Sequence, residues 1–439
     1  MTSLARPRLV VLGLDGLPHS LALKLAERLP NLARIVSGSR PIRAELPELS
    51  PVNWTSMFTA CGPGAHRVTG FVVMDPKSYA LRIANFRDVA VPTVFDRLGE
   101  KGFVSRVINL PNTYPARPLR GMLVSGFVAD DLRRAVHPPV LASRLATAGY
   151  KLEADTTRGS SDLDFLLAEL RETLLSRLFA LDMLWPDLDW DLFVHVFTET
   201  DRLFHFFLPA VAHEDHPDHG RCMAFLAEWD RALGVVLDRY EALPDPKRLL
   251  VMADHGFTET KTEVDLNRWL GERGMLVLGP SQSDHAAAEW EATRITPLTR
   301  AFALDPGRIY IHERGRFARG VVTPEHAPVL AAQIREELLG LTWHGERVMQ
   351  EVHFGRDLYP GLEGGPDLVC EARPGFDLKA KFDRTEVFGL HGRYGTHTAG
   401  DTFFRDDAEI AEAVPEVTRV RDVGRAILQF FNLDEPECP

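Results

Sequence analysis

Residues 8–16 read R-L-V-V-L-G-L-D-G, and this stretch is the clearest single indication of the fold. Arg8–Gly13 is a short apolar run that ends in glycine, and Asp15 and Gly16 follow at once. Such a run is typical of a strand that is buried on both faces of a parallel sheet. The polar Asp-Gly pair predicts a loop at the carboxyl edge of that sheet, where ligands bind in open α/β folds.

Further runs of the same kind follow along the chain, at Val104–Leu110, Met122–Val128, Asp191–Phe197 and Arg248–Ala253. Helical patterns separate these runs, including Leu163–Leu184 and Cys222–Ala242. The alternation of strand and helix predicts an α/β fold with a mainly parallel central sheet and helices on both faces.

After the last of these strands the pattern changes, and residues 258–390 contain shorter strand-like pieces with frequent Gly and Pro. One helix is predicted within this stretch, over Pro324–Leu339. We therefore expect residues 258–390 to form an inserted cap that governs substrate specificity. The core is expected to comprise residues 1–257 and 391–439, with a last helix over Val420–Phe431.

The composition of the 439 residues limits the possible partners. The chain is 45% hydrophobic and 26% charged, as is usual for a globular protein, and its formal net charge is −12. An acidic chain is a poor match for a nucleic-acid polymer, but a small phosphorylated substrate remains possible because bound cations can reverse the local field. The sequence does not indicate an oligomeric state.

The location of the protein is predicted from two further features. No run of 18 or more apolar residues occurs, so the sequence predicts no membrane span. The four cysteines form no C-x-x-C pair and suggest neither a disulfide framework nor a zinc ribbon. A reducing compartment follows from that interpretation, and we expect a cytoplasmic protein.

Metal-ligand residue types recur in four segments, three of which follow predicted strands. Singly, each segment has a structural alternative: a turn, a pair of residues on a helix surface, or a helix cap. Together, three Asp and three His at one sheet edge predict ligands for two divalent cations, with zinc or manganese fitting better than calcium. The residues are Asp15, Asp201, His205, Asp254, His255 and His397.

Ser50 is the candidate nucleophile, at the start of the run Ser50-Pro51-Val52-Asn53-Trp54. Ser followed by Pro is also a common helix start, so a structural role remains open. A serine at a helix N-terminus places its hydroxyl where an anion is favoured. A metal ion in contact with that oxygen would activate it without a separate general base.

The run Ser50–Phe71, S-P-V-N-W-T-S-M-F-T-A-C-G-P-G-A-H-R-V-T-G-F, resembles the type I phosphodiesterase/nucleotide pyrophosphatase family of the alkaline phosphatase superfamily. Thr59, Pro63 and His66 stand at the matching places, although Ala60 replaces the usual glycine. The other motifs appear in the family's order, ending with Gly395-Thr396-His397. The resemblance spans nearly the whole chain and implies an alkaline-phosphatase-like three-layer sandwich.

The resemblance also implies two metal sites and a reaction. One site would use Asp201, His205 and His397, and the other would use Asp15, Asp254, His255 and the Ser50 oxygen. Zinc is expected first, with manganese or iron as alternatives. Ser50 would attack phosphorus to form a covalent intermediate during hydrolysis of a phosphodiester or phosphomonoester. A phosphotransferase, a phosphonate hydrolase and a non-catalytic binding protein on this fold are the alternatives.

Substrate contacts are less clearly marked in the sequence. The family's phosphate-binding Asn is replaced by Phe71, and an aromatic ring cannot donate that hydrogen bond. Asn53 could donate instead, although a structural role in the helix is the alternative. His391 and Arg393 precede the last motif and could line the substrate mouth. Trp54 is interpreted as a core residue, and Arg202 as a surface charge.

Overall fold

The computed structural model describes residues 6–281, 288–408, 416–436 and 438. Its α-helices are α1 (His19–Leu25), α2 (Pro30–Val36), α3 (Ser50–Thr59), α4 (Pro63–His66), α5 (Val94–Glu100), α6 (Val140–Thr147), α7 (Leu163–Leu184), α8 (Glu199–Ala212), α9 (His219–Glu241), α10 (Leu266–Glu272), α11 (Ala327–Leu339), α12 (Gly355–Leu358) and α13 (Val420–Phe430).

The strands, in chain order, are β1 (Arg8–Leu14), β2 (Arg40–Ile42), β3 (Val72–Met74), β4 (Leu81–Ile83), β5 (Ser105–Leu110), β6 (Gly121–Ser125), β7 (Val136–His137), β8 (Leu192–Phe197), β9 (Lys247–Met252), β10 (Gly256–Glu259), β11 (Thr262–Asp265), β12 (Ala301–Leu304), β13 (Arg308–Ile311), β14 (Thr342–Trp343), β15 (Glu346–Arg347), β16 (Met349–Phe354), β17 (Leu368–Ala372), β18 (Phe376–Lys379), β19 (Phe388–Gly389), β20 (Gly395–Thr398) and β21 (Thr402–Asp406).

The described chain forms two compact units. The first comprises residues up to Gly62 together with Asn85–Thr258 and Gly392–Cys438, and the second comprises Pro63–Ala84 and Glu259–His391. Residues 63–84, which the sequence placed in the core, thus belong to the second unit. The role of residues 258–390 in substrate specificity stays a prediction.

The first unit is built on an eight-stranded sheet with the order β2-β21-β9-β1-β8-β5-β6-β7. Its five inner strands, β9, β1, β8, β5 and β6, run parallel. These are the five strands that the sequence predicts as buried apolar runs. The remaining three strands, β21 and the edge strands β2 and β7, pair antiparallel to their neighbours. The predicted α/β fold with a mainly parallel sheet is confirmed.

Helices cover both faces of this sheet. On one face, Val10 and Leu12 of β1 share a buried core with residues of α7 and α9. On the other face, α5 packs on β5, and α3, α5 and α13 pack together. The contact between α3 and α13 is close, because a Cβ at Gly424 would lie 2.1 Å from the carbonyl oxygen of Met57. The helix that carries Ser50 is therefore held in a fixed position against α13.

A disulfide joins Cys61, just after α3, to Cys438. Cys222 and Cys370 are free and buried. The prediction that the cysteines form no disulfide is therefore wrong for this pair. The two residues lie 377 positions apart, and they meet because α13 packs along α3. The cysteine pattern consequently no longer supports a reducing compartment, and the cytoplasmic location stays a prediction.

The second unit contains a four-stranded antiparallel sheet with the order β12-β13-β17-β16 and a three-stranded sheet with the order β18-β11-β19. Helix α11 packs on β13 and β16, and the core includes Trp269, Phe302 and Leu338. Among the described residues of both units, no helix has the length and apolarity needed to cross a membrane.

Candidate metal centre

Three neighbouring parallel strands deliver most of the predicted ligands of the first unit. Asp15 follows β1, Asp254 and His255 follow β9, and Asp201 and His205 lie in the first two turns of α8, after β8. Because the carboxyl ends of β9, β1 and β8 share one sheet edge, these side chains converge there. The sixth residue, His397, lies within the short strand β20.

Asp201, His205 and His397 form the first group of potential ligands. The Nε2 atom of His397 lies 3.1 Å from Nε2 of His205 and 3.3 Å from Oδ1 of Asp201. The distance from His205 Nε2 to the same Asp201 oxygen is 3.5 Å. The three atoms are therefore close enough to coordinate one ion.

Asp15, Asp254 and His255 form the second group, and all three are buried. His255 Nε2 lies 3.3 Å from Oδ2 of Asp254 and 3.3 Å from the Ser50 hydroxyl oxygen. The two groups adjoin, since His255 Nε2 is 3.9 Å from Asp201 Oδ1. The structure thus brings together all six predicted ligands and Ser50.

The tautomers of the three histidines follow from their outer hydrogen bonds. A carbonyl oxygen can only accept, so each Nδ1 next to one must carry a proton, and in the neutral ring this leaves Nε2 with a free lone pair. Each Nε2 faces the centre, as described above. The Nδ1 contacts are His205 with the carbonyl oxygen of Gly395 (3.3 Å), His255 with that of Gly256 (3.0 Å) and His397 with that of Glu48 (2.8 Å).

The three carboxylates share one arrangement: in each, one oxygen accepts a hydrogen bond and the other has no hydrogen-bond partner. Asp15 Oδ1 accepts from the Trp54 indole (3.0 Å), Asp254 Oδ1 accepts from the Gly16 amide (3.0 Å), and Asp201 Oδ2 accepts from the Arg202 guanidinium. The second oxygen of each is buried without a hydrogen-bond partner. A buried carboxylate oxygen without a partner lowers the stability of the folded state unless a cation binds to it.

The protonation of the site suits a cation. Burial lowers the pKa of His205 well below its usual value and also lowers that of His255, so both rings are neutral near pH 7. Burial, then the nearby carboxylates of Asp254 and Asp201, raise the pKa of Asp15 well above its usual value. A divalent cation would offset this desolvation and repulsion. The residues present therefore fit metal ions bound through nitrogen and oxygen.

Ser50 is the first residue of α3, and its side chain is buried. Pro51 occupies an early position in the helix, where its missing N–H costs nothing. The hydroxyl stands at the positive end of a ten-residue helix. Its position beside His255 Nε2 fits a nucleophile at the metal centre, while the alternative, a plain helix start, accounts only for the backbone.

The predicted substrate contacts divide between the two units. Asn53 is buried, and its side chain bonds the main chain of Glu45 and Leu49, which favours the structural alternative. Arg393 is exposed and lies over the Phe206 ring, 5.9 Å from its centroid.

The other two predicted contacts belong to the second unit. Phe71 packs against the hydrophobic core of that unit, and His391 is exposed. Their role as substrate contacts stays a prediction.

Two further residues at the centre received structural interpretations from the sequence. Arg202 is largely withdrawn from the surface, with only 13% of its side chain exposed: it pairs with Asp201 and with both oxygens of Glu153, at 3.1 and 3.2 Å, and lies over the Phe127 ring. The surface interpretation of Arg202 is therefore wrong. Its position next to Asp201 was the only sequence signal, because Glu153 is remote along the chain. Trp54 is buried as predicted, but it also donates to Asp15.

Comparison with known proteins adds an independent finding. The family model described as type I phosphodiesterase / nucleotide pyrophosphatase matches residues 9–397. Comparison with curated protein sequences finds no match.

Several solved structures share this fold. Phosphonoacetate hydrolase from Sinorhizobium meliloti 1021 in complex with phosphonoformate has 15% identity and a TM-score of 0.63, over 96% of this chain and 95% of that one. Murine ectonucleotide pyrophosphatase / phosphodiesterase 5 has 12% identity and a TM-score of 0.58, over 98% and 97%. The human protein of the same name has 12% identity and a TM-score of 0.57, over 98% and 96%.

Proposed function

The chain belongs to the type I phosphodiesterase/nucleotide pyrophosphatase family, and within that family we propose that it cleaves a phosphodiester or phosphomonoester through a covalent intermediate on Ser50. Membership makes it a metal-dependent phosphoric ester hydrolase. The observation that carries the finer proposal is the convergence of six potential ligands around the Ser50 hydroxyl.

Two metal ions are proposed. Asp201, His205 and His397 would hold one, and Asp15, Asp254, His255 and the Ser50 oxygen would hold the other. When bound, divalent ions supply charge stabilisation for phosphoryl transfer and lower the pKa of a coordinated hydroxyl. Zinc is the first choice because three of the seven ligands are imidazole nitrogens, with manganese or iron as alternatives.

The chain's own groups perform the remaining steps. The Ser50 proton passes to solvent as the Ser50 oxygen bonds to phosphorus, while the bond from phosphorus to the leaving oxygen breaks and that oxygen takes a proton from solvent. Water then attacks phosphorus and gives up one proton, the bond to the Ser50 oxygen breaks, and that oxygen takes a proton, so the hydroxyl is restored. The position of Ser50 at the helix N-terminus favours the negative charge that develops there.

The substrate is proposed to be a small phosphorylated molecule, and Arg393 is proposed to contact it. This side chain is exposed and positively charged, and it lies over the Phe206 ring. Burial lowers the pKa of His205 and the charge of Arg393 adds to that effect, which supports a position of Arg393 within electrostatic range of the first ligand group. We expect Arg393→Gln to raise KM more for a dianionic monoester than for a monoanionic diester.

Cleavage of a phosphonate is the second candidate, because phosphonoacetate hydrolase is among the similar structures. Transfer of the phosphoryl group to an alcohol instead of water is a third. All three share the Ser50 chemistry, so substrate panels rather than site variants separate them.

The decisive experiment combines metal analysis with a panel of esters. We expect about two metal ions per chain and turnover of bis-p-nitrophenyl phosphate or p-nitrophenyl phosphate in zinc or manganese. Phosphonoacetate and p-nitrophenyl phenylphosphonate test the second candidate, and an added alcohol acceptor tests the third. A chain that binds neither ion and turns over none of these compounds would contradict the proposal.

Ser50→Ala tests the covalent step, and Ser56→Ala is its matched control. Ser56 lies on the same helix and is also buried, but its hydroxyl bonds the carbonyl of Val52 within α3. The Ser50 variant should lose roughly 10³-fold or more in kcat while retaining its metal, and the control should retain activity. Acid quenching during turnover should trap phosphate on the Ser50 peptide of the wild type. Full turnover by Ser50→Ala would remove Ser50 from the mechanism.

A further inference from the structure

Trp54 connects the helix of the proposed nucleophile to a proposed metal ligand. It lies on α3, four residues after Ser50, so both side chains project from neighbouring positions on one side of the helix. The indole is fully buried, and its Nε1–H donates to Oδ1 of Asp15 at 3.0 Å. One short helix therefore carries both the hydroxyl and a donor to the carboxylate.

The space for the indole depends on Gly13 in β1. A Cβ at that position would lie 2.5 Å from Cη2 of Trp54 and 2.9 Å from a methyl of Val196. Gly13 does not adopt a positive φ, so the backbone conformation does not require glycine there. The close approach of Trp54 accounts for it, and β1, which Asp15 follows, makes room for this ring at Gly13.

The hydrogen bond from Trp54 makes the two carboxylate oxygens of Asp15 different. Oδ1 is occupied by the indole, while Oδ2 is buried and has no hydrogen-bond partner. A free carboxylate in this position could rotate and present either oxygen. With the indole bonded to Oδ1, Oδ2 is the oxygen that is left without a partner and is the preferred ligand atom for a cation.

We propose that Trp54 is a positioning residue, which holds Asp15 so that Oδ2 becomes its ligand atom and which ties the second ligand group to the Ser50 helix. This inference rests on the proposed function, since it assigns a role toward the metal at that site. Loss of the N–H should weaken metal binding because outer hydrogen bonds orient ligands and their removal typically lowers affinity about 10–100-fold.

Trp54→Phe removes the donor, and Trp229→Phe is the matched control. Trp229 is also fully buried in the first unit, but its Nε1 has no hydrogen-bond partner. Zinc affinity of the apoprotein is measured by competition with a chromophoric chelator, together with stoichiometry. We expect one of two zinc sites to weaken by about 10–100-fold in Trp54→Phe and neither to weaken in Trp229→Phe.

A second variant separates the hydrogen bond from the shape of the ring. Site-specific replacement of Trp54 by β-(3-benzothienyl)alanine keeps a bicyclic ring but places sulfur where the N–H was. It should fold even if Trp54→Phe does not, and it should show the same loss of zinc affinity.

The zinc affinities of these variants decide whether Trp54 is a positioning residue. Wild-type zinc affinity in either Trp54 variant would overturn the positioning role and leave the proposed function intact. Equal losses in Trp54→Phe and Trp229→Phe would also overturn it, since general loosening of the core would explain both. A wild-type chain that binds no zinc or manganese would overturn the proposed function and this role with it.

Discussion

Replacing His195 with leucine should make the protein less sensitive to acid. His195 lies in β8, is fully buried, and has no hydrogen-bond partner at either ring nitrogen. Burial, together with the charges of Arg177 and Arg239, lowers its pKa from 6.5 to about 3. The folded chain therefore keeps this ring neutral at pH values where the unfolded chain protonates it.

The sign and size of the effect follow from that difference. Below pH 6.5 the unfolded state binds a proton that the folded state does not, so stability falls as the pH falls toward 3. Each pH unit in this window costs about 1.4 kcal/mol, and the loss accumulated at pH 5 is about 2 kcal/mol. His195→Leu removes this contribution, so its stability relative to the wild type should rise by about 2 kcal/mol between pH 7.5 and pH 5.

Urea unfolding followed by tryptophan fluorescence measures this difference. Both proteins are compared at pH 7.5, 6 and 5 in a chelator, so that pH-dependent metal binding does not contribute. Phe193→Leu on the same strand is the control, since it changes packing without removing a titrating group. If the difference between His195→Leu and the wild type stays constant across this range, the buried neutral histidine is not the cause of acid sensitivity.

Three further predictions concern the packing of α3 and the metal site. Gly424→Ala should destabilise the fold by roughly 1–3 kcal/mol, since its Cβ would meet the carbonyl of Met57 at 2.1 Å; an unchanged urea midpoint would contradict the close packing. Cys438→Ser should raise the number of thiols titrated in unreduced, denatured protein from two to three as Cys61 is released, whereas four thiols in the wild type would exclude the disulfide. Asp254→Asn should lower the metal content measured by mass spectrometry, and unchanged content would remove this residue from the ligand set.

The central architecture could be predicted because its signals are local. A parallel strand buried on both faces must be apolar along its length, and the runs that form β1, β8 and β9 satisfy this condition. The positions of the ligands follow from these strands, because the residues after each parallel strand lie at the same carboxyl edge of the sheet. The order of motifs along the chain then identified the family from residue types alone.

The features that the sequence did not predict depend on contacts between segments that are far apart along the chain. The edge strands β2 and β7 span only three and two residues, too few to show a period. Arg202 looked like a surface charge because Glu153, which pairs with it, lies far away along the chain. The disulfide of Cys61 needed the packing of α13 against α3, which no spacing of cysteines reveals.

The two ligand groups also differ in when a growing chain can complete them. Asp15, Asp254 and His255 have all been synthesised once the ribosome has passed residue 255. The group of Asp201 and His205 must wait for His397 in β20, about 7–28 s later at roughly 5–20 residues per second. A metal ion therefore can complete the first group only after His397 has been synthesised. We expect the two sites to be loaded in sequence, with the His397 site filled only after nearly the whole chain has emerged.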